Sequence, residues 1–369
     1  MTLKLFIKKN AIMFIALIAS LITVIFVPVD KEYLGYFDYK TLVCLFCVLA
    51  VVCALKNINF FYILASKIVK LFKNTKKCVL ALVYITFIGS MLIANDMALL
   101  TFLPLGYFVL NSTGKKKYMA FTFIMQNIAA NLGGMLTPFG NPQNLYLYSF
   151  FEIPNLEFLK IMALPFVFAI LLITIFCLIF VKSEPLELTE EVEKLDKKKG
   201  ILYFILFALS IAIVFRGIPY IVGLIVIPLV LIFTDRKALL QVDYSLLFTF
   251  VFFFIFSGNM ARIEVVRNFF SSLLEKHTFL VSVLSCQVIS NVPSAILLSQ
   301  FTTNYTDLLL GVNIGGVGTI ISSLASLITF KEYIKHNPEK GFYYMERFSA
   351  YNFLFLIALV GFVLLIKMI

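Results

Sequence analysis

The feature that most constrains this chain is a series of apolar runs that recurs from residue 11 to residue 366. Each run is about 15–24 residues long, which is the helix length needed to cross a bilayer core about 30 Å thick. Hydrophobic residues make up 61% of the 369 residues and charged residues only 14%, whereas soluble domains carry roughly 25% charged residues. The sequence therefore predicts an all-α polytopic protein embedded in the lipid bilayer of the cell (plasma or inner) membrane.

Two apolar regions, 78–110 and 277–300, contain polar residues near their centres. Lipid cannot hydrogen-bond to the backbone, so such interruptions are tolerated only where they face protein or water. We interpret each region as a re-entrant helical hairpin rather than as a simple crossing. About nine spans are predicted besides the two hairpins: 11–28, 41–55, 118–148, 158–181, 201–216, 218–234, 244–258, 308–330 and 346–366.

The positions of lysine and arginine predict the topology, because these residues accumulate in cytoplasmic loops. With a cytoplasmic N-terminus, the cluster Lys115-Lys116-Lys117 stays inside only if region 78–110 enters the membrane and returns. Segment 301–307 has no lysine or arginine, so the hairpin 277–300 is expected to enter from outside. The same asymmetry accounts for the net charge of +11 without a nucleic-acid partner.

These assignments divide the chain into two halves of inverted topology, a pattern typical of secondary transporters. The segment 182–200 is predicted to be a charged cytoplasmic linker between them. The N-terminal repeat is 1–181, with hairpin 78–110 and broken helix 118–148, and the C-terminal repeat is 201–369, with hairpin 277–300 and broken helix 308–330.

A short motif repeats between the halves and supports this division. Asn131-Leu-Gly-Gly-Met-Leu-Thr137 and Asn313-Ile-Gly-Gly-Val-Gly-Thr319 share the pattern N-[LI]-G-G-x-x-T. Each copy follows a hairpin that has an asparagine at its interruption, Asn95 in the first half and Asn291 in the second. We expect both asparagines to lie close together near the middle of the membrane.

The broken helices suggest how ions and an anion would bind. Free carbonyls with Asn and Thr side chains suit a hard cation such as sodium, and helix N-termini favour an anion. Small and hydroxyl residues are also common where membrane helices pack closely, so packing is the alternative role. The predicted substrate-binding residues are Ser290, Asn291, Thr137, Asn141 and Thr319. The predicted cation- or proton-coupling residues are Asn95, Asp96, Asn131, Gly133, Gly134, Asn313, Gly315 and Gly316.

Asp96 is the most unusual residue of the first hairpin, because a carboxylate at the centre of a membrane helix costs about 2.5–3.5 kcal/mol. One interpretation is that Asp96 caps the helix that begins there, which contributes about 0.5–2 kcal/mol. The other is that it also binds a proton or cation, since a low-dielectric site disfavours a bare carboxylate. The two roles are compatible.

Three stretches of this chain resemble the ion transporter superfamily: Ala-Asn-Asp-x-Ala-Leu-Leu at 94–100, G-G-x-x-T-P-x-G-N-P-Q-N at 133–144, and Ser-Asn-Val-Pro-Ser at 290–294. That superfamily includes citrate and dicarboxylate transporters, divalent-anion:sodium symporters, arsenite efflux permeases and a class of sodium/proton antiporters. The resemblance implies a homodimer that moves its substrate by an elevator motion. In the symporters both tips carry Ser-Asn-Thr, whereas here they read Ala94-Asn95-Asp96 and Ser290-Asn291-Val292.

The sequence thus predicts a secondary active transporter of a small anion, citrate- or dicarboxylate-like, coupled to sodium or protons. Arsenite or metalloid efflux and sodium/proton antiport are the alternatives. No cofactor is expected beyond sodium as a coupling ion. An enzyme is not expected, because the two histidines, His277 and His336, lie near span ends and no H-E-x-x-H motif or nucleophile elbow occurs.

Overall fold

A computed structural model describes residues 10–186 and 196–368. The N-terminal lysines at positions 4, 8 and 9 and residues 187–195 of the predicted linker lie outside the described residues. The helices of the first part are α1 (Ala11–Phe26), α2 (Tyr39–Asn57), α3 (Phe60–Lys70), α4 (Thr75–Ile93), α5 (Asn95–Ser112), α6 (Met119–Gly133), α7 (Pro142–Phe150) and α8 (Asn155–Phe180). Those of the second part are α9 (Lys197–Val214), α10 (Tyr220–Thr234), α11 (Arg236–Leu240), α12 (Tyr244–Arg262), α13 (Glu264–Ile289), α14 (Asn291–Leu298), α15 (Tyr305–Ile314), α16 (Leu324–His336) and α17 (Gly341–Met368).

Several helices have the length and apolar composition of membrane spans, which confirms an all-helical, multi-pass membrane protein. Two shorter helices, Ala11–Phe26 and Tyr220–Thr234, are also apolar. Large apolar side chains such as Ile357 (69% exposed) and Phe233 (81% exposed) face outward, where lipid would surround them. The number of spans and their orientation stay predictions. The helices long enough to cross are Tyr39–Asn57, Thr75–Ile93, Asn155–Phe180, Tyr244–Arg262 and Pro338–Met368.

Both regions predicted as broken helices are interrupted. The first is divided into α6, a short 3-10 turn at Gly134–Leu136 and α7. The second is divided into α15, a non-helical stretch at 315–323 and α16. Pro142 stands in the first turn of α7, a position where its missing N–H costs no hydrogen bond.

A charged helical segment precedes the second interrupted region. Helix α13 spans Glu264–Ile289, and His277 is a non-helical residue at a kink that joins its two parts. Its first half carries Glu264, Arg267 and Lys276, so hydropathy alone gave no signal for it. The part of α13 after the kink begins where the sequence places the start of the hairpin 277–300, and the charged part before the kink is an additional helical segment.

Helices α4 and α5 form a hairpin whose two ends meet one short segment. At the start of α4, the Thr75 N–H donates to the Glu184 carbonyl oxygen at 2.9 Å. Beyond the end of α5, Lys115 and Lys117 contact the Glu184 carboxylate at 2.7 and 2.5 Å. Hydrogen bonds from Lys115 and Lys117 lower the pKa of the Glu184 carboxyl to about 2. The α4–α5 pair thus begins and ends at the same place.

Close helix contacts hold each hairpin against the broken helix of its own half. A Cβ on Gly133 of α6 would lie 2.2 Å from the Phe87 carbonyl oxygen of α4. A Cβ on Gly315 would lie 2.8 Å from the Cys286 Cβ of α13. Only glycine permits this approach, as is common between membrane helices. The first glycine of each G-G pair is therefore a contact residue.

Candidate functional site

Each hairpin turns through one residue with an unusual backbone conformation. Ala94 has φ 64° and ψ 150°, and Ser290 has φ 77° and ψ 160°. This region of backbone space suits glycine, and other residues pay about 1–3 kcal/mol to adopt it. Such strain persists only where the surroundings impose it, commonly at ligand-binding sites.

The residue after each strained position makes the same two hydrogen bonds. The Asn95 N–H donates to the Gly140 carbonyl oxygen at 3.1 Å, and the Asn291 N–H donates to the Ser322 carbonyl oxygen at 3.0 Å. Each side-chain Oδ1 accepts from the next N–H, that of Asp96 or Val292, at 2.9 Å. Each tip asparagine thus ties its hairpin to the break of the broken helix.

The threonines of the repeated motif also have matching contacts. Thr137 Oγ1 donates to the Met91 carbonyl oxygen at 2.7 Å, and Thr319 Oγ1 donates to the Gln287 carbonyl oxygen at 2.9 Å. Met91 and Gln287 each precede their tip asparagine by four residues. The N-[LI]-G-G-x-x-T motif therefore contacts the end of the first hairpin arm in both halves.

Buried asparagines connect the two halves behind the tips. Asn95 Nδ2 donates to Asn131 Oδ1 at 3.2 Å. Asn141 Nδ2 lies 3.2 Å from both the Asn131 carbonyl oxygen and Asn313 Oδ1. Asn313 Nδ2 donates to Asn144 Oδ1 at 2.6 Å. The second glycines face this cluster: a Cβ would lie 2.3 Å from Asn141 Oδ1 at Gly134 and 3.2 Å from Asn291 Nδ2 at Gly316.

A cavity of about 930 Å³ lies in front of both tips. The tip residues that line it are Asn95, Asp96, Ser290, Asn291 and Val292. Of the predicted site residues, Thr137, Asn141, Thr319, Asn131 and Asn313 do not line this cavity but lie behind the tips and support them. Gln143 and four charged residues also line the cavity: Asp96, Asp243, Lys56 and Lys331.

Comparison with known proteins identifies the family. The citrate transporter family model matches residues 2–307. The chain belongs to the citrate transporter family. It is 33% identical to the uncharacterized transporter MJ0456 of Methanocaldococcus jannaschii over 296 residues, which are 80% of this chain and 81% of that protein. It is 26% identical to the inner membrane protein YbiR of Escherichia coli strain K12 over 355 residues, 92% of this chain and 91% of that protein.

Membership of the citrate transporter family fits the ion transporter superfamily resemblance of the tip and G-G motifs. It also indicates a membrane transporter rather than an enzyme. The relatives are named as transporter or membrane protein without a stated substrate.

Asp96 does not act as the cap at the start of α5 in this citrate transporter family member. The Asn95 side chain supplies the oxygen that accepts the first free N–H, and Asp96 Oδ1 is buried with no hydrogen-bond partner. Gln143 Oε1 and Asn141 Oδ1 are likewise buried without a partner. The neighbourhood of the first tip therefore has unsatisfied oxygens, which is unusual for buried polar atoms.

Sequence reasoning missed several residues that the fold brings to this site. Lys56 lies in the last turn of α2, Asp243 is the N-cap of α12 and Lys331 lies within α16, and none of the three belongs to a sequence motif. Gln143 and Asn144 stand within the G-G-x-x-T-P-x-G-N-P-Q-N stretch, and that stretch could have identified them. Gln287 has no such signal, because the groups of the second helix break that it contacts are 28–32 positions away.

Proposed function

We propose that this protein is a secondary active transporter of a small carboxylate anion, citrate- or dicarboxylate-like, coupled to sodium or protons. One observation carries the proposal: a single cavity is lined by the tips of both hairpins in a member of the citrate transporter family. Two strained tips, held by matching hydrogen bonds, are costly to maintain for packing alone.

The anion would bind at the second tip. Ser290 and Asn291 line the cavity there, and α14 begins at Asn291, so the positive end of its helix dipole lies at this tip. A helix N-terminus favours negative charge. Val292 stands where the first tip has Asp96, so the second tip has no carboxylate to repel the substrate.

The coupling cation or proton would bind at the first tip. Asp96 and Gln143 both line the cavity, and each has one buried oxygen without a hydrogen-bond partner. Oxygen ligands of this kind suit sodium, and the same carboxylate suits a proton. The cation would satisfy atoms that the protein leaves unpaired.

Charge balance gives a reason for coupling. The charged residues that line the cavity are two carboxylates, Asp96 and Asp243, and two lysines, Lys56 and Lys331. An anion entering this formally neutral cavity brings uncompensated negative charge. Neutralising Asp96 with a proton or cation removes that penalty, so the anion and the coupling ion would bind together.

We further propose inverted topology, re-entrant hairpins and elevator-type alternating access by a homodimer. Matching hydrogen bonds at the tips support the repeat, and the resemblance to the superfamily supports the motion and the dimer. In a cysteine-free background, single cysteines at Ser112 and Asn304 should be labelled from opposite sides of the membrane. Labelling from the same side would rule out the inverted repeat.

Counterflow in proteoliposomes tests the function directly. A carrier exchanges internal unlabelled anion for external labelled anion, whereas a channel does not. We expect exchange of labelled citrate or succinate, stimulated by sodium or by acidic pH. Exchange of arsenite alone, or proton movement driven by sodium alone, would instead support the two alternatives. The Ala-Asn-Asp tip resembles the arsenite permeases, so arsenite efflux is the alternative that the sequence supports.

A further inference from the structure

One face of α16 lines the cavity over the first two turns of the helix. Leu324, Leu327, Ile328 and Lys331 all contribute to the cavity wall. Their spacing of three, four and seven residues places them on one side of a helix. The face is apolar except for Lys331, so this lysine is the charge that α16 presents to the cavity.

The other charged residues at this end of α16 are paired with each other. Glu332 lies 3.0 Å from His336 Nε2 and 3.3 Å from Lys335 Nζ. The His336 ring also stacks on Tyr107 of α5, with ring centroids 3.5 Å apart. Lys331 has no ion pair within residues 10–186 and 196–368. Its ammonium group can therefore bind an anion without breaking an existing contact.

Lys331 stands at a fixed separation from the second hairpin tip. The Asn291 N–H is bonded to the Ser322 carbonyl oxygen at 3.0 Å, and α16 begins two residues later, with Ser323 as its N-cap. Leu324 and Lys331 are two helical turns apart, about 10 Å at 1.5 Å per residue. Lys56, in contrast, belongs to α2 and has no such connection to the tip.

We infer that Lys331 is a specificity-determining residue that binds a second carboxylate of a substrate whose first carboxylate lies at Asn291. The site would then select dicarboxylates and tricarboxylates over monocarboxylates, because only the former reach both groups. This inference rests on the proposed anion transport. It adds the residue that would recognise the second carboxylate of the substrate.

The test compares Lys331→Gln, Lys331→Arg and the matched control Lys335→Gln with the wild type. Lys335 is on the same helix, pairs with Glu332 and does not line the cavity. KM is measured by counterflow with labelled acetate, succinate and citrate. We expect Lys331→Gln to raise KM for succinate and citrate about tenfold, a change that one charge-assisted hydrogen bond supports. KM for acetate should not change, Lys331→Arg should retain most of the selectivity, and Lys335→Gln should match the wild type.

A thermal-unfolding measurement gives a readout that does not depend on transport. Citrate should raise the Tm of the purified wild type by binding the folded state, and should raise that of Lys331→Gln less. Unchanged selectivity, or an equal loss for all three anions, would overturn the inference while leaving the proposed transport intact. A wild type that exchanges none of the three anions would instead refute the proposed function.

Discussion

The two hairpin tips have the same backbone and different chemistry. Ala94 and Ser290 share one strained conformation, and the asparagine after each makes the same pair of hydrogen bonds. The next residue is Asp96 in the first tip and Val292 in the second. The same backbone arrangement therefore places a carboxylate beside the cavity at the first tip and an apolar side chain at the second.

The breaks behind the tips are also stabilised differently. In the first half, Asn144 of α7 donates to the carbonyl oxygens of Gly134, Met135 and Thr137. The second half has Ser326 at the corresponding position, and the amide comes from Gln287 of α13, which donates to Gly315 and Val317. The first break is held by its own helix, whereas the second is held by its hairpin.

The largest expected effect is the loss of anion uptake when Asn291 of the second tip is replaced. Asn291→Ala should abolish anion uptake, because it removes the side chain that fixes the start of α14 at the proposed anion site. Asn111→Ala, at the far end of α5, is the control and should transport normally. Initial uptake in proteoliposomes is the measurement, with gel filtration to confirm folding. Normal uptake by a folded Asn291→Ala protein would show that this tip serves packing alone.

A substitution at Asp96 of the first tip should change the coupling of uptake to protons or sodium rather than the binding of the anion. Asp96→Asn keeps a polar group of the same shape but cannot titrate, so uptake should lose its dependence on pH or sodium. Initial rates are compared between about pH 5.5 and 8.5, with and without a sodium gradient, because only a group that binds a proton within this range can make the rate depend on pH. If the mutant retains a wild-type dependence, Asp96 is not the coupling residue.

A smaller effect, on stability, is expected from Gln287→Met, which gives the second hairpin the residue that the first has at Met91. The change leaves the Gly315 and Val317 carbonyls and the Thr319 N–H without the side-chain partners they have now. Each buried unsatisfied group costs about 1–3 kcal/mol, so the Tm in detergent should fall. Met91→Leu is the control, since Thr137 contacts only the Met91 backbone. If Gln287→Met and Met91→Leu have equal Tm values, the Gln287 side chain does not stabilise the second helix break.

The smallest effect is a gain in stability at the tips. Ala94→Gly should raise stability by about 1 kcal/mol, because relief of a strained backbone outweighs the larger entropy of an unfolded glycine. Ser290→Gly should gain less, since it also removes the contacts of Ser290 Oγ with Asn291 Oδ1 and the Ser322 carbonyl oxygen. Ala94→Val should lower the Tm. A loss of stability in Ala94→Gly would show that the tip is not strained.

The sequence by itself determined the membrane class, the positions of both hairpin tips and both helix breaks. It could do so because polar and helix-breaking residues in an apolar run are costly unless they serve a site. It gave no indication of the charged helical part of α13 before the kink at His277, because that part has no hydropathy signal. The roles of Thr137, Asn141 and Thr319 in substrate binding stay predictions.

Only the tertiary structure decided which residues meet around the cavity and behind it. Asn141 and Asn313 are 172 positions apart and share a hydrogen bond, and Asp96, Asp243 and Lys331 line one cavity from three separate helices or loops. Local patterns report the burial and conformation of a segment, because those depend on neighbouring residues. Contacts between distant segments depend on how the helices pack, and no short stretch of sequence records that.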